Sequence, residues 1–432
     1  MLNYNGGDLV ERCVDHLERL DWPADHLEIV VVDNASVDGS PERLARRPRV
    51  RVVPSGHNLG FPANNLALHD LAGVDYVGLI NNDAFAESGY LSPLVDALER
   101  AGDLGAACPK ILLAHRFVDL TIRSTDVTPP ADGRRLGVRV SGVEVGGDDR
   151  WRNALFASGF HLPEPGGPAE PAFRWTDGAA TLGVPCGDGE TSVRLRLAGP
   201  EGTEVTLEAG AGTHTVVVAA EPVWVDLPLD PARYDVLNNV GSRLVRGGYG
   251  GDRGFLERDA AQYDEPQDVF AWCGAGVLFR TAYLRDVGLF DERFFMYYED
   301  TDLSWRGRSR GWRYQYVPTA RLRHVHAATS VEGSPLFNHY VQRNRLLMLT
   351  KNAPAGLVAR AVVQYWREVA TYAWRDLVRP VLARRRPRPG LVGARLRAFA
   401  GYLRLLPVML LERRRIRGSA SVADAALLEW AE

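Results

Sequence analysis

Cysteine is scarce in this 432-residue chain. The four copies, Cys13, Cys108, Cys186 and Cys273, are scattered, with no CxxC pair and no spacing that suits zinc or a disulfide framework, so reduced thiols are expected. No run of about 18 apolar residues is present to span a bilayer, and no charged N-terminal segment leads into an apolar stretch, so neither a transmembrane helix nor a signal peptide is expected. Net charge is nearly absent, at -3, which gives no argument for nucleic acid as a partner. The GxGxxG spacing is missing from both Asn5-Gly6-Gly7 and the segment GHNLGFPANN, which weakens a dinucleotide-dependent dehydrogenase. MLNYNGGDLV contains no basic residue to hold a triphosphate, which places a nucleotidyltransferase last among the enzyme classes. These absences together predict a cytoplasmic protein.

What is present begins with length. The chain can build two or three domains, and its 46% hydrophobic content is ordinary for a globular protein. The small net charge conceals an asymmetry, because from Lys351 onward roughly sixteen Lys and Arg face six Asp and Glu. The tail reads as Arg-rich helices, including Ala398 to Leu411 and then Glu412 to Arg417. Peripheral contact with an anionic membrane at the inner face of the plasma membrane and a solvated basic face are equally good readings of it.

The first hundred residues alternate between helical periodicity and apolar strands such as Glu28 to Asp33, Val50 to Pro54 and Tyr76 to Asn81. The pattern predicts a mixed, mostly parallel α/β sheet flanked by helices, with ligands beyond the carboxyl ends of the strands, where Asp33 and Asn81-Asn82-Asp83 fall. The opening MLNYNGG looks like the end of a strand and its turn, so the first strand is expected to be short or missing. Between about His115 and Leu229 the period changes to two, in runs such as SVRLRLAG and EVTLEAG, which predicts an inserted antiparallel β-sandwich. The expected division is 1–114 as one half of the α/β domain, 115–232 as the insertion, 233–350 as the other half, and 351–432 as a basic helical region.

Chemistry concentrates in LFDERFFMYYEDTDLSWR, Leu289 to Arg306, where aromatic residues surround Glu299, Asp300 and Asp302. Aromatic faces stack on sugar rings, and carboxylates between apolar walls gain proton affinity and can act as bases. Asp83 stands as a single carboxylate just past a buried strand, and Mg²⁺ or Mn²⁺ on a diphosphate needs only one or two such ligands. His324 can add a metal ligand from the other half of the sheet. Asn58, Gly60 and Asn64 lie in a loop whose glycine permits close backbone approach to phosphate or sugar.

The order of NYNGG, VVDNASVDGS, NLGFPANN, LINNDA, CGAGVLFR, GLFDERFFMYYEDTDLSWR and HVHAATS resembles the inverting family-two glycosyltransferases with a GT-A fold, in their bacterial rhamnosyl- and galactofuranosyl-transferase-like branch. The resemblance covers about 230 residues outside the insertion. It implies that Tyr4, Asn5, Asp33 and Asn34 contact the nucleotide, with Asn58, Gly60, Asn64 and Asn82 also on the donor side. It implies further that Asp83 is the metal-binding acid, with His324 near metal and diphosphate. Asp300 becomes the catalytic base, with Glu299 and Asp302 as alternatives, while Trp272, Gly274, Trp305 and Arg306 stand as acceptor-side candidates. The DxD-type site here reads Asn81-Asn82-Asp83, and the QxxRW signature of processive members is absent, although Gln342-Arg343-Asn344 lies nearby.

The expected reaction is therefore transfer of one sugar, with inversion, from a UDP- or dTDP-sugar to a hydroxyl of a lipid-linked or polymeric glycan, as in cell-wall or polysaccharide synthesis. A homo-oligomer is left open. The alternative is a non-catalytic carbohydrate-binding protein that uses the sandwich, with Trp151, Trp175 and Trp224 as its candidate stacking residues.

Overall fold

A computed structural model describes residues 1–129, 132–166, 171–210, 212–229, 232–245, 247–325 and 334–430. The chain divides into two compact units, the first made of Met1–Ala114, Leu237–Phe255 and Ala260–Glu432, the second of His115–Val236 and Leu256–Asp259.

In the first unit the β-branched run Ile29–Asp33 pairs in parallel with Leu2–Asn3 on one side and Val50–Pro54 on the other. A larger seven-stranded sheet has the order Gln267–Asp268, Arg313–His324, Leu104–Leu113, Gly276–Arg280, Tyr76–Ile80, with Leu237–Asn239 and Ala84–Ala86 added at its sides. Parallel pairing holds in the first three strands and between Leu104–Leu113 and Arg313–His324, and the remaining pairs of the larger sheet run antiparallel. The sheet is mixed, as expected, but in the larger sheet antiparallel pairs outnumber the one parallel pair. Its central strands Leu104–Leu113 and Gly276–Arg280 read as continuous apolar runs because they are covered on both faces; Leu104 to Leu112 is buried throughout, including Lys110, whose ammonium reaches Asp264 at 2.7 Å.

Helices complete this unit. Ser334 accepts a hydrogen bond from the Phe337 N–H and Pro335 occupies the first turn, which starts the helix Pro335–Asn352. The helices Ala355–Ala373 and Gly390–Gly418 follow, and Leu346, Leu347, Leu349, Tyr365, Tyr402 and Met409 share one apolar core. Among the described residues no helix is long and apolar enough to cross a membrane.

The second unit is a nine-stranded antiparallel structure in which alternate side chains point inward. Val193, Leu195 and Leu197 from Ser192–Ala198 and Val205 and Leu207 from Thr203–Ala209 enter a single core. The long strand Arg174–Cys186 changes partner along its length, pairing first with Arg139–Val145 and then with Arg116–Ser124, so both halves enclose that core. Trp151 packs against it, whereas Trp224 lies exposed on the outer surface, its ring over Gly142.

Candidate active site

The first unit gathers its polar residues where strands end. Asn3, fully buried, is the hub beside the first sheet. Its Nδ2 donates to Asp33 Oδ1 at 3.1 Å, Ser36 Oγ at 3.1 Å and Ser40 Oγ at 2.8 Å, while its Oδ1 accepts from the Gly6 N–H at 3.2 Å and from Asn82 Nδ2 at 3.5 Å. A Cβ on Gly6 would lie 2.5 Å from that oxygen, so the turn requires glycine. Tyr4 and Asn5 stand exposed beside it, with Asn5 Oδ1 accepting from the Val37 N–H at 2.8 Å.

Asn34 and Asn64 have internal partners. Both polar atoms of the buried Asn34 carboxamide are used, donating to Asn58 Oδ1 at 2.9 Å and accepting from the Leu59 N–H at 2.8 Å. Asn64 donates to the Phe61 carbonyl at 2.8 Å. The expectation that these two amides meet the donor is corrected to the shaping of the 55–64 loop, which leaves Tyr4, Asn5 and Asn58 as the exposed donor-side candidates. Gly60 brings that loop against the acidic segment, since the Phe61 N–H donates to the Phe295 carbonyl at 2.7 Å. With φ 71°, ψ −161° and a Cβ position 2.0 Å from that carbonyl, Gly60→Ala is expected to cost about 1–3 kcal/mol. A denaturation midpoint equal to that of the parent protein would contradict this.

Asp83 and His324 meet. His324 Nε2 is 3.1 Å from Asp83 Oδ1, and both side chains are buried. The other ring nitrogen, Nδ1, lies 2.8 Å from Asn238 Oδ1, an acceptor, so Nδ1 donates there and Nε2 faces the carboxylate. Two electron-rich atoms so placed require a cation between them, either a proton or a metal, and a carboxylate with an imidazole is a donor set that fits a divalent ion. Among the described residues no third His, Cys, Asp or Glu joins them. Residues 326–330 of the HVHAATS motif lie outside the described residues.

The acidic cluster is resolved into three different environments. Asp300 sits half-buried at the start of the helix Glu299–Ser309, with Oδ1 accepting from the Thr301 N–H at 2.6 Å and from Thr301 Oγ1 at 3.1 Å. Burial and the nearby charge of Asp252 push its carboxyl up to about 6, against the opposing hydrogen bonds from Thr301 and the Gly274 N–H. Glu299 is buried and pushed well above the usual range by burial and by Asp300, and its Oε2 has no hydrogen-bond partner among the described residues. Asp302 is fully buried and bound to Arg306 Nε at 2.9 Å, Lys351 Nζ at 2.9 Å and Asn352 Nδ2 at 2.8 Å. These bonds make Asp302 a structural anion, so it is corrected from alternative base to part of the scaffold.

Three acceptor-side expectations also change. Trp272 is 0% exposed and Trp305 is 1% exposed, each packed among core aromatics. Arg306 is spent on the Val287 and Leu289 carbonyls and on Asp302. None of the three presents a surface to a sugar. Aromatic residues beside acids read the same way in sequence whether they line a cleft or fill a core. Gly274 is likewise buried, against the Phe61 ring, but its N–H faces Asp300.

The loop before Asp300 is strained. Phe295, Tyr297 and Tyr298 all have φ between 66° and 70°, a region costly to residues with side chains. Asn344 holds it, donating to the carbonyls of Phe294, Met296 and Tyr297 at 2.7–2.9 Å, and Arg343 donates to those of Arg293 and Phe294 at 2.9 Å. Arg343 and Asn344 thus supply the loop's clasp, a role that residues 47–50 positions away do not advertise in sequence.

Neighbouring backbone brings the two acids to one end of the large sheet. Ile80 pairs with Gly276 and the Asn81 N–H donates to the Ala275 carbonyl, so Asn81-Asn82-Asp83 emerges beside Gly274. Asn238 and Asn239 tie the same groups from behind: Asn238 orients His324, and Asn239 Nδ2 donates at 2.6 Å to Asp252, whose charge bears on Asp300. Sequence reasoning assigned no role to Asn3, Asn238, Asn239 or Asp252. For Asn238 and Asn239 the available signal was a pair of adjacent amides in the buried strand Leu237–Asn239.

Two family models match the segments either side of the insertion, Glycosyl transferase family 2 over residues 1–123 and Glycosyltransferase like family 2 over residues 253–345. The chain is 25% identical over 312 residues to the N-acetylglucosaminyl-diphospho-decaprenol L-rhamnosyltransferase of Mycobacterium tuberculosis, covering 72% of this chain and 69% of that one. It is also similar to a crystal structure of GalNAc-T7 with UDP, GalNAc and Mn²⁺, at 12% identity and a TM-score of 0.45. That match covers 81% of this chain and 46% of the other, a likeness too distant to define fold or activity. With the two matched segments carrying Asp83, Asp300 and His324, the chain belongs to glycosyltransferase family 2.

Proposed function

We propose that this chain transfers a single sugar, with inversion, from a nucleoside-diphosphate donor to a hydroxyl of a polyprenyl-diphosphate-linked glycan, with Asp300 as the base. The observation that carries this reading is the Asp300 carboxyl, held near pH 6 between the Gly274 N–H, Thr301 and the charge of Asp252. A base poised close to neutral pH is ionised in the cell yet still accepts a proton. The acceptor hydroxyl gives its proton to Asp300 as its oxygen bonds to the anomeric carbon, and the bond from that carbon to the diphosphate oxygen breaks on the opposite face. The electron pair leaves with the nucleoside diphosphate.

Asp83 and His324 would hold a divalent cation, Mg²⁺ or Mn²⁺, which when bound supplies positive charge to the leaving diphosphate. The mycobacterial relative's name, an L-rhamnosyltransferase acting on N-acetylglucosaminyl-diphospho-decaprenol, supports a deoxyhexose donor such as a UDP- or dTDP-sugar and a lipid-linked acceptor.

A donor-hydrolysis screen across UDP-, dTDP- and GDP-sugars tests the donor class, and one productive nucleotide is expected. The metal assignment is tested by Mn²⁺ electron paramagnetic resonance. Asp83→Ala is expected to weaken Mn²⁺ binding at least tenfold, and His324→Ala to weaken it by about 10- to 100-fold. Unaltered Mn²⁺ binding in both variants would place the ion elsewhere.

A further inference from the structure

The basic tail resolves into two kinds of arginine. Some are consumed within the protein: Arg413 donates to the Thr350 carbonyl at 2.9 Å, and Arg417 bonds Asp424 at 2.8 Å. Others gather at one elbow. The helix Ala355–Ala373 passes through the wider turn Trp374–Val378 into Arg379–Leu382, and Pro387 and Pro389 then stop the chain before the helix Gly390–Gly418 begins.

This elbow is apolar and basic at once. Trp374 is 59% exposed, Val381 58% and Leu382 72%, with Val378 and Leu391 also in solvent. Interleaved with them are Arg375, Arg379, Arg384, Arg385, Arg386 and Arg388, against a single acid, Asp376. Arg375 pairs with that acid, while Arg379, Arg384, Arg385 and Arg386 form no ion pair among the described residues.

We propose that residues 374–391 are an interfacial anchor that seats the chain on an anionic lipid bilayer. The alternation of apolar and charged residues selects the occupant. The centre of a protein–protein interface is depleted of charge, whereas a bilayer surface takes Trp and Leu into the headgroup boundary and arginines at the level of the phosphates. Arginine stems can lie along the apolar zone while their guanidinium groups remain with the headgroups. The prolines fix the turn beforehand, so less backbone freedom is lost on docking. The anchor therefore lies upstream of the 398–417 segment that the sequence pointed to, because there part of the charge is already spent on the protein itself.

The test is flotation of the full chain with vesicles, phosphatidylcholine alone or mixed with phosphatidylglycerol. Neither donor nor acceptor is needed, so failure here is distinguishable from failure of the transfer reading. Wild-type protein is expected to float with the anionic vesicles only, and to be released by high salt. Replacing Arg384, Arg385 and Arg386 together by Ser should lower binding to anionic vesicles at least tenfold. Trp374→Ser with Leu382→Ser should lower it to a similar degree. These residues are exposed, so an unchanged melting temperature is expected in both variants. Absence of wild-type binding to anionic vesicles, or binding that survives both sets of changes, overturns the proposal. So does a wild-type dimer, seen by light scattering, that the same changes convert to monomer.

Discussion

Asp300→Asn is expected to lower the rate of sugar transfer by about 10²- to 10⁴-fold while leaving donor affinity and Mn²⁺ binding unchanged. The amide keeps the shape of the side chain and can still accept from the Thr301 N–H, but it cannot take a proton from the acceptor. In the parent protein the carboxyl at about 6 must be ionised to work, so kcat/KM should rise with pH through that value and level off above it. The variant should lose this limb along with its activity. Stability should move the other way. A carboxyl whose affinity for protons is raised by folding makes the folded state less stable as it ionises, so at neutral pH removal of this charge beside Asp252 should leave the melting temperature equal or higher. Turnover of Asp300→Asn near that of the parent, with Glu299→Gln inactive, would move the base to Glu299.

The second large effect is structural. Lys351, 3% exposed, joins Asp291 Oδ2 at 2.7 Å to Asp302 Oδ2 at 2.9 Å, with Arg293, Arg306 and Asn352 completing the cluster. Lys351→Met removes the shared cation and leaves two buried carboxylates facing each other, an expected loss of about 3–5 kcal/mol. Denaturant unfolding measures it, and a loss below about 1 kcal/mol would mean that Arg293 and Arg306 suffice. The acid dependence should change as well. Burial by itself would raise Asp291, but the Arg293 hydrogen bonds and the Lys351 charge hold it well below the usual carboxylate range. Its contribution is therefore present above the unfolded value of about 4 and is lost as pH falls further. In Lys351→Met this acid-side loss should be shallower, because the carboxyl is no longer held down as strongly.

Particular residues show what the sequence made legible. The strand ends at Asp33 and Asp83 were legible because strands are recognisable apolar runs, and Asp300 stood out as one of three acids among aromatics. Asp302 was indistinguishable from Asp300 by composition; a lysine 49 positions away decides its role, and no local pattern carries that information. Trp272 and Trp305 were misassigned for a related reason, since burial is a property of packing rather than of neighbours in the chain. Antiparallel pairing of Gly276–Arg280 was likewise hidden, because a strand covered on both faces has the same apolar signature in either direction. The insertion was legible since its period of two and its close turns are local. The hub at Asn3 was missed because one buried amide has no periodicity.

The clasp on the acidic loop sets an order of assembly during synthesis. Phe295, Tyr297 and Tyr298 leave the ribosome before Arg343 and Asn344, the side chains that hold them in their left-handed conformations, and chains fold as they emerge. The second unit, with its own core, can therefore be complete while the Asp300 loop is still unset. A nascent chain halted before residue 343 would carry every acid of the cluster without the geometry that gives Asp300 its surroundings. Competence thus arrives late, with the helix Pro335–Asn352, and truncation upstream of it should yield a folded insertion attached to an unfinished site.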